Sequence, residues 1–133
     1  MIHSHKIRVY YEDTDLAGIV YYANYLKFIE RGRSEWVRGL GVDQARLRAE
    51  HGLVFAVRRV EADYLRPAKF DDELVVTTVA EGSGGARISL HQEVLRGAER
   101  LFVAEVTLVC INEAGVAARL PADIRRVMMP EMH

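Results

Sequence analysis

From Tyr25 the apolar positions of the chain run Phe28, Ile29, Gly32, Trp36, Val37 and Leu40, the three-and-four spacing that gives a helix one buried stripe. Asn24 or Ala23 stands near the start of this stretch and Gly39 or Gly41 closes it, which predicts one long helix over about residues 22–39. Around it the pattern changes period. Residues 6–11 (KIRVYY) read as a first strand, and 53–65, 73–81, 86–96 and 100–111 are rich in Val, Leu, Ile, Thr and Phe between Gly-containing or acidic turns, the signature of strands. A shorter helix is expected over Asp43 to Glu50, with Asp43 as its cap and Gly52 as its stop.

Short turns between four successive strands favour antiparallel pairing. In 86–96, Ile88, Leu90, Gln92 and Val94 alternate with Arg87, Ser89, His91 and Glu93, so one face is apolar and the other wet. Only the long helix can cover that apolar face. The expected architecture is therefore α+β: a curved antiparallel sheet of five or more strands wrapped around one long central helix, as a single domain over 1–133. In such a packing Gly32 either lets the helix backbone lie close to a strand or is simply a tolerated glycine.

Composition removes several classes of function. Eighteen basic residues nearly balance nineteen acidic ones, so no global field draws the chain to nucleic acid or an anionic membrane. No apolar run approaches the roughly 20 residues that cross a bilayer, and the N-terminus lacks a signal-peptide core. The lone Cys110, in an alternating apolar run, excludes an internal disulfide and reads as a buried, inert thiol. A soluble, cytoplasmic protein is expected. His3, His5, His51, His91 and His133 show no ligand spacing within one element, so no metal site is expected from them.

The chemistry concentrates in YYEDTDLAGIVYYANY, residues 10–25, which sets Asp13 and Asp15 in a loop directly before the long helix. A helix start presents unpaired N–H groups and a positive dipole end, so it can polarise a carbonyl and stabilise the oxyanion formed on attack. A carboxylate beside it supplies the attack, as nucleophile or as the base that activates water. A thioester suits this sparse arrangement, because a thiol of pKa about 8.5 leaves as thiolate without a dedicated acid. Neither a G-x-S-x-G elbow nor an H-E-x-x-H helix is present.

The run VYYEDTDLAGIVYYANYLKFIERGRSEWVRGLG, Val9 to Gly41, resembles the signature of the YbgC-type, Tol-Pal-associated acyl-CoA thioesterases and their relatives the 4-hydroxybenzoyl-CoA thioesterases. DYLRPAKFDDEL (Asp63 to Leu74) and ARLPADIR (Ala118 to Arg125) extend the resemblance over most of the chain. It implies a hot-dog fold, a homodimer with a continuous sheet and often a dimer-of-dimers tetramer. It also implies an acyl-CoA substrate with coenzyme A as part of that substrate, and no separate cofactor.

Carried onto this chain, the resemblance makes Asp15 the catalytic carboxylate and Asp13 its supporting neighbour. The Tyr22 backbone N–H then binds the thioester carbonyl, and Gly18 lets the loop approach the substrate. YbgC-type members usually carry His where Tyr22 stands, and the hydroxybenzoyl-CoA branch carries Tyr, so the acyl group stays open. That second branch also has a dense basic cluster where this chain reads GSGGAR, Gly82 to Arg87, with Arg87 alone remaining; Arg58, Arg59 and Arg119 are further candidates for the coenzyme A phosphates. Helical Glu30 and Glu35 are rival acids, Glu30 lying off the apolar stripe. The alternative from another class is a non-catalytic module that binds acyl-CoA or an acyl carrier protein, since fold alone does not decide function.

Overall fold

The computed structural model describes residues 2–129; Met1 and residues 130–133, His133 among them, lie outside the described residues. Five strands, β1 (His3–Arg8), β2 (Val54–Tyr64), β3 (Glu73–Gly84), β4 (Arg87–Arg96) and β5 (Glu99–Ile111), form one sheet in the order β1-β3-β4-β5-β2. Every neighbouring pair is antiparallel. This leaves β1 and β2 as the two edges. β1 pairs with β3 from His3 opposite Thr78 to Arg8 opposite Glu73, so the first strand begins and ends earlier than the expected 6–11. Past Val9 the chain instead turns through a short 3₁₀ segment, Tyr11–Asp13.

The 16-residue helix α1 (Asn24–Gly39) buries Tyr25, Phe28, Ile29, Gly32, Trp36 and Val37, the stripe that the spacing predicts. It packs on β1, β3 and β4. Its stripe meets the inward residues of the strands, including Leu74, Val76, Leu90, Val94, Phe102 and Val106. Full burial of a side chain such as Phe28 or Ile29 contributes about 1.5–3 kcal/mol. Gly32 is where the backbones come closest: a Cβ there would collide with the Val76 side chain. Beside it the buried Gln92 amide donates to the Ile29 carbonyl at 2.9 Å and to Thr78 Oγ1 at 2.9 Å. One polar residue on an otherwise apolar strand face thereby ties helix to sheet.

The expected architecture of a sheet around one long helix needs correction, because two shorter helices accompany α1, of which only the first was expected. In α2 (Gln44–His51) the Asp43 carboxylate accepts the Arg46 N–H at 3.1 Å and Gly52 closes the helix at φ 65°, matching the expected cap and stop. α3 (Ala122–Met128) was not expected. It spans only seven residues and buries only Met128 fully, with Ile124 half-buried one turn earlier. A segment this short has little helical stability of its own and owes its form to packing. Cys110 lies buried on β5, and burial raises its thiol pKa above the ordinary value. No described helix is long and apolar enough to cross a membrane.

Candidate active site

The Asp15 loop is a small hairpin. Thr14 bridges Val20, the Asp15 N–H donates to the Ile19 carbonyl at 2.9 Å, and the Gly18 N–H donates to the Asp15 carbonyl at 2.9 Å. Leu16, Ala17 and Gly18 thus form a three-residue loop whose last member takes φ 80°, the position that suits glycine. A Cβ at Gly18 would meet nothing within 4 Å, so backbone conformation rather than space asks for glycine within this chain. Asp15 Oδ1 accepts the Ala17 N–H at 2.9 Å, a local turn bond of the kind Asp favours. Its other oxygen makes no hydrogen bond among the described residues, and the side chain is exposed.

Asp13 anchors this hairpin. Its carboxylate accepts the Tyr10 N–H at 2.8 Å, while its carbonyl accepts the Tyr21 N–H and the Asn24 side-chain amide, each at 2.9 Å. On the other flank the Val20 N–H donates to the Ala68 carbonyl at 2.9 Å. The Asp13 to Asn24 segment is therefore closed on itself and pinned to the stretch before β3.

At the start of α1 the backbone N–H groups divide into two sets. Those of Asn24, Tyr25 and Leu26 donate to the carbonyls of Tyr21, Tyr22 and Ala23. Those of Tyr22 and Ala23 have no acceptor among the described residues. Ala23 takes the cap position with helical φ and ψ, no side chain caps the end, and no acidic residue occupies the first turn. The positive end of the helix is thus left without a charged partner of its own. The Tyr21 phenol is held above its ordinary pKa, chiefly by the neighbouring Tyr22 hydroxyl and also by the Asp15 carboxylate.

One contributor was not foreseen. Tyr64, at the end of β2, donates its hydroxyl to the Tyr22 carbonyl at 2.9 Å. It also packs edge-on to Tyr22, Tyr25 and Phe102 with ring centroids 6.2, 5.5 and 4.9 Å away. The hydrogen bond joins residues 42 apart in sequence, so no local pattern announces it.

The candidate arginines are scattered. Arg59 sits on edge strand β2 and pairs with Glu61, Arg87 opens β4 beside the turn from β3, and exposed Arg119 precedes α3. None of the three hydrogen-bonds to the Asp13–Tyr22 segment among the described residues. Of the rival acids, Glu30 is exposed and bonded by Ser34 at 3.3 Å, and Glu35 is paired with Arg38 at 2.7 Å.

Several known proteins are similar to this chain. A family model described as the thioesterase-like superfamily matches residues 9–129. The acyl-CoA thioesterase YbgC of Haemophilus influenzae is 42% identical over 109 residues, covering 82% of this chain and 80% of the relative. An acyl-CoA thioester hydrolase YbgC of Escherichia coli is 38% identical over 120 residues, 89% of each chain. Among solved structures, a probable thioesterase from Bartonella henselae superposes with a TM-score of 0.87 at 40% identity, covering 91% of this chain and all of that one.

Proposed function

Because the chain belongs to the thioesterase-like superfamily and is accordingly a thioester hydrolase, we propose that it cleaves acyl-CoA to a free carboxylic acid and coenzyme A with Asp15 as its catalytic carboxylate. The observation that carries this reading is one pairing. An exposed carboxylate with an uncommitted oxygen stands in a pinned hairpin directly before a helix start that offers the free Tyr22 and Ala23 amides.

A thioester oxygen seated on those amides would gain most as charge develops on it. The Asp15 oxygen then either adds to the carbonyl carbon or takes a proton from the water that does. In the first route the C–S bond breaks, the coenzyme leaves as thiolate, and water hydrolyses the resulting anhydride. In the second, water's oxygen becomes part of the acid directly. Neither route asks for a metal or redox cofactor, and both need only groups that the loop and the helix start supply.

Asp13 contributes by holding the loop, and Arg59, Arg87 and Arg119 are offered as contacts for the coenzyme A phosphates from the surface. A second copy of the chain adds its β2 to the free edge of this β2, where Val57, Val60 and Tyr64 are exposed. Dimers of this kind pair further into tetramers in the cytoplasm, and light scattering on the purified protein reads the mass directly.

The test is thiol release from a panel of aliphatic and aromatic acyl-CoAs by wild type and Asp15→Asn. Turnover on at least one thioester that disappears in the variant supports the reading. Tight acyl-CoA or acyl-carrier-protein binding with equally slow release in both proteins supports a binding module instead.

A further inference from the structure

We propose that Glu81, His91 and Glu105 form a binding site for a divalent transition cation, zinc being the type case, on the solvent-facing side of the sheet. Three adjacent strands supply the three groups: β3 carries Glu81, β4 His91 and β5 Glu105. One ligand atom from each lies within 4.8 Å of the others. Ligand atoms on one tetrahedral zinc ion with bonds of about 2.0–2.1 Å stand about 3.3 Å apart, so small rotations of the two exposed glutamates, with Glu105 drawing back from Nδ1, complete the geometry.

Two features indicate more than a solvated patch. His91 and Glu105 face each other in register, whereas the β3–β4 register shifts between Ala80 and Gly82. Glu81 is the extra residue of that bulge. Bulges re-aim a side chain relative to its neighbours, and this one delivers a second carboxylate to the same imidazole. The imidazole is also oriented: its Nδ1 lies 2.5 Å from Glu105 Oε1, and its Nε2 lies 2.8 Å from Glu93 Oε2. Arg100 in turn holds Glu93 at 3.5 Å.

A ligating histidine commonly gives its second ring N–H to a carboxylate, which sets the tautomer and strengthens the donor nitrogen. Here Nε2–H donates to Glu93, and a cation between Glu81 and Glu105 would replace the proton on the Nδ1 side that now faces Glu105 and take up the Nδ1 lone pair. Three carboxylates stand against one guanidinium and one imidazole, so a cation also relieves like-charge crowding. One nitrogen and two oxygens on a rigid sheet suit zinc, cobalt or manganese, with water completing the shell. The ion would clasp β3, β4 and β5 together.

Chelator-stripped protein titrated with Zn²⁺ by calorimetry, and with Co²⁺ by visible absorption, tests the site. Wild type is expected to bind one ion per chain. His91→Ala and Glu105→Gln should each weaken binding at least tenfold and abolish the Co²⁺ band, with far-ultraviolet circular dichroism confirming the fold. Glu93→Gln should weaken it about 10-fold through the ring orientation, and His3→Ala should leave it unchanged. Absent binding in wild type, binding retained in both His91→Ala and Glu105→Gln, or loss in His3→Ala would each overturn the proposal.

Discussion

The Tyr64 hydroxyl donates to the Tyr22 carbonyl at 2.9 Å, so the end of an edge strand holds the peptide that leads into α1. The N–H of that same peptide belongs to Ala23, one of the two uncommitted donors at the helix start. A hydrogen bond at one end of a peptide group polarises the donor at the other and fixes its direction. Tyr64→Phe removes the hydroxyl and keeps the ring packing on Tyr25 and Phe102. The expected result is a kcat lower by about 3- to 10-fold with KM little changed, the scale of one net hydrogen bond. Steady-state kinetics on the best acyl-CoA substrate checks it.

Asp15 has a structural duty as well as the proposed chemical one, and two substitutions separate them. Asp15→Asn keeps an oxygen for the Ala17 N–H but loses the charge, so kcat should fall by roughly 100-fold or more at unchanged melting temperature. Asp15→Ala loses both, and should melt earlier by the equivalent of about 1 kcal/mol. Thiol-release rates and thermal denaturation of the pair distinguish the two contributions.

Gly32 and Val76 mark the closest approach of helix and sheet. Gly32→Ala should destabilise the protein by about 1–3 kcal/mol through overpacking, despite alanine's better helix propensity. Adding Val76→Ala should recover part of that loss, so a double-mutant cycle of denaturant unfolding should give a coupling well above zero.

Gln92 is fully buried and bonds both α1 and β3. Gln92→Leu should cost about 1–3 kcal/mol, because Thr78 Oγ1 and one helix carbonyl lose a donor that apolar bulk does not replace. Denaturant titration of the variant measures it.

Acid should weaken one specific tie. Burial disfavours ionised Asp72, but the Lys69 N–H at 2.8 Å and the Arg96 guanidinium at 2.7 Å outweigh it and hold the carboxyl below its ordinary value. A depressed folded value means the tie is fully present above the unfolded aspartate pKa of about 3.9 and is lost as pH falls through the folded value. Wild type should therefore exceed Asp72→Asn in melting temperature by a constant margin above about pH 5. That margin should shrink steadily in stronger acid, as a melting series from pH 7 to pH 2.5 would record.

Much of this molecule was legible along the chain. Strand alternation, the α1 stripe from Tyr25 to Val37, the α2 cap at Asp43 and the close approach at Gly32 all follow from residue order, because period and backbone freedom are local properties. The break in pattern over Glu12 to Val20 likewise marked an irregular loop before α1, where the structure has the Asp15–Ile19 turn. Tertiary structure alone decided the rest. α3 exists because Ile124 and Met128 find a core to pack on, and seven residues cannot hold a helix unaided. Tyr64 reaches Tyr22 only once the fold brings the end of β2 to the start of α1. His91 shows no ligand spacing within its own strand, since Glu81 and Glu105 come to it across the sheet. Contacts between strands depend on register, which pairing sets and no single segment contains.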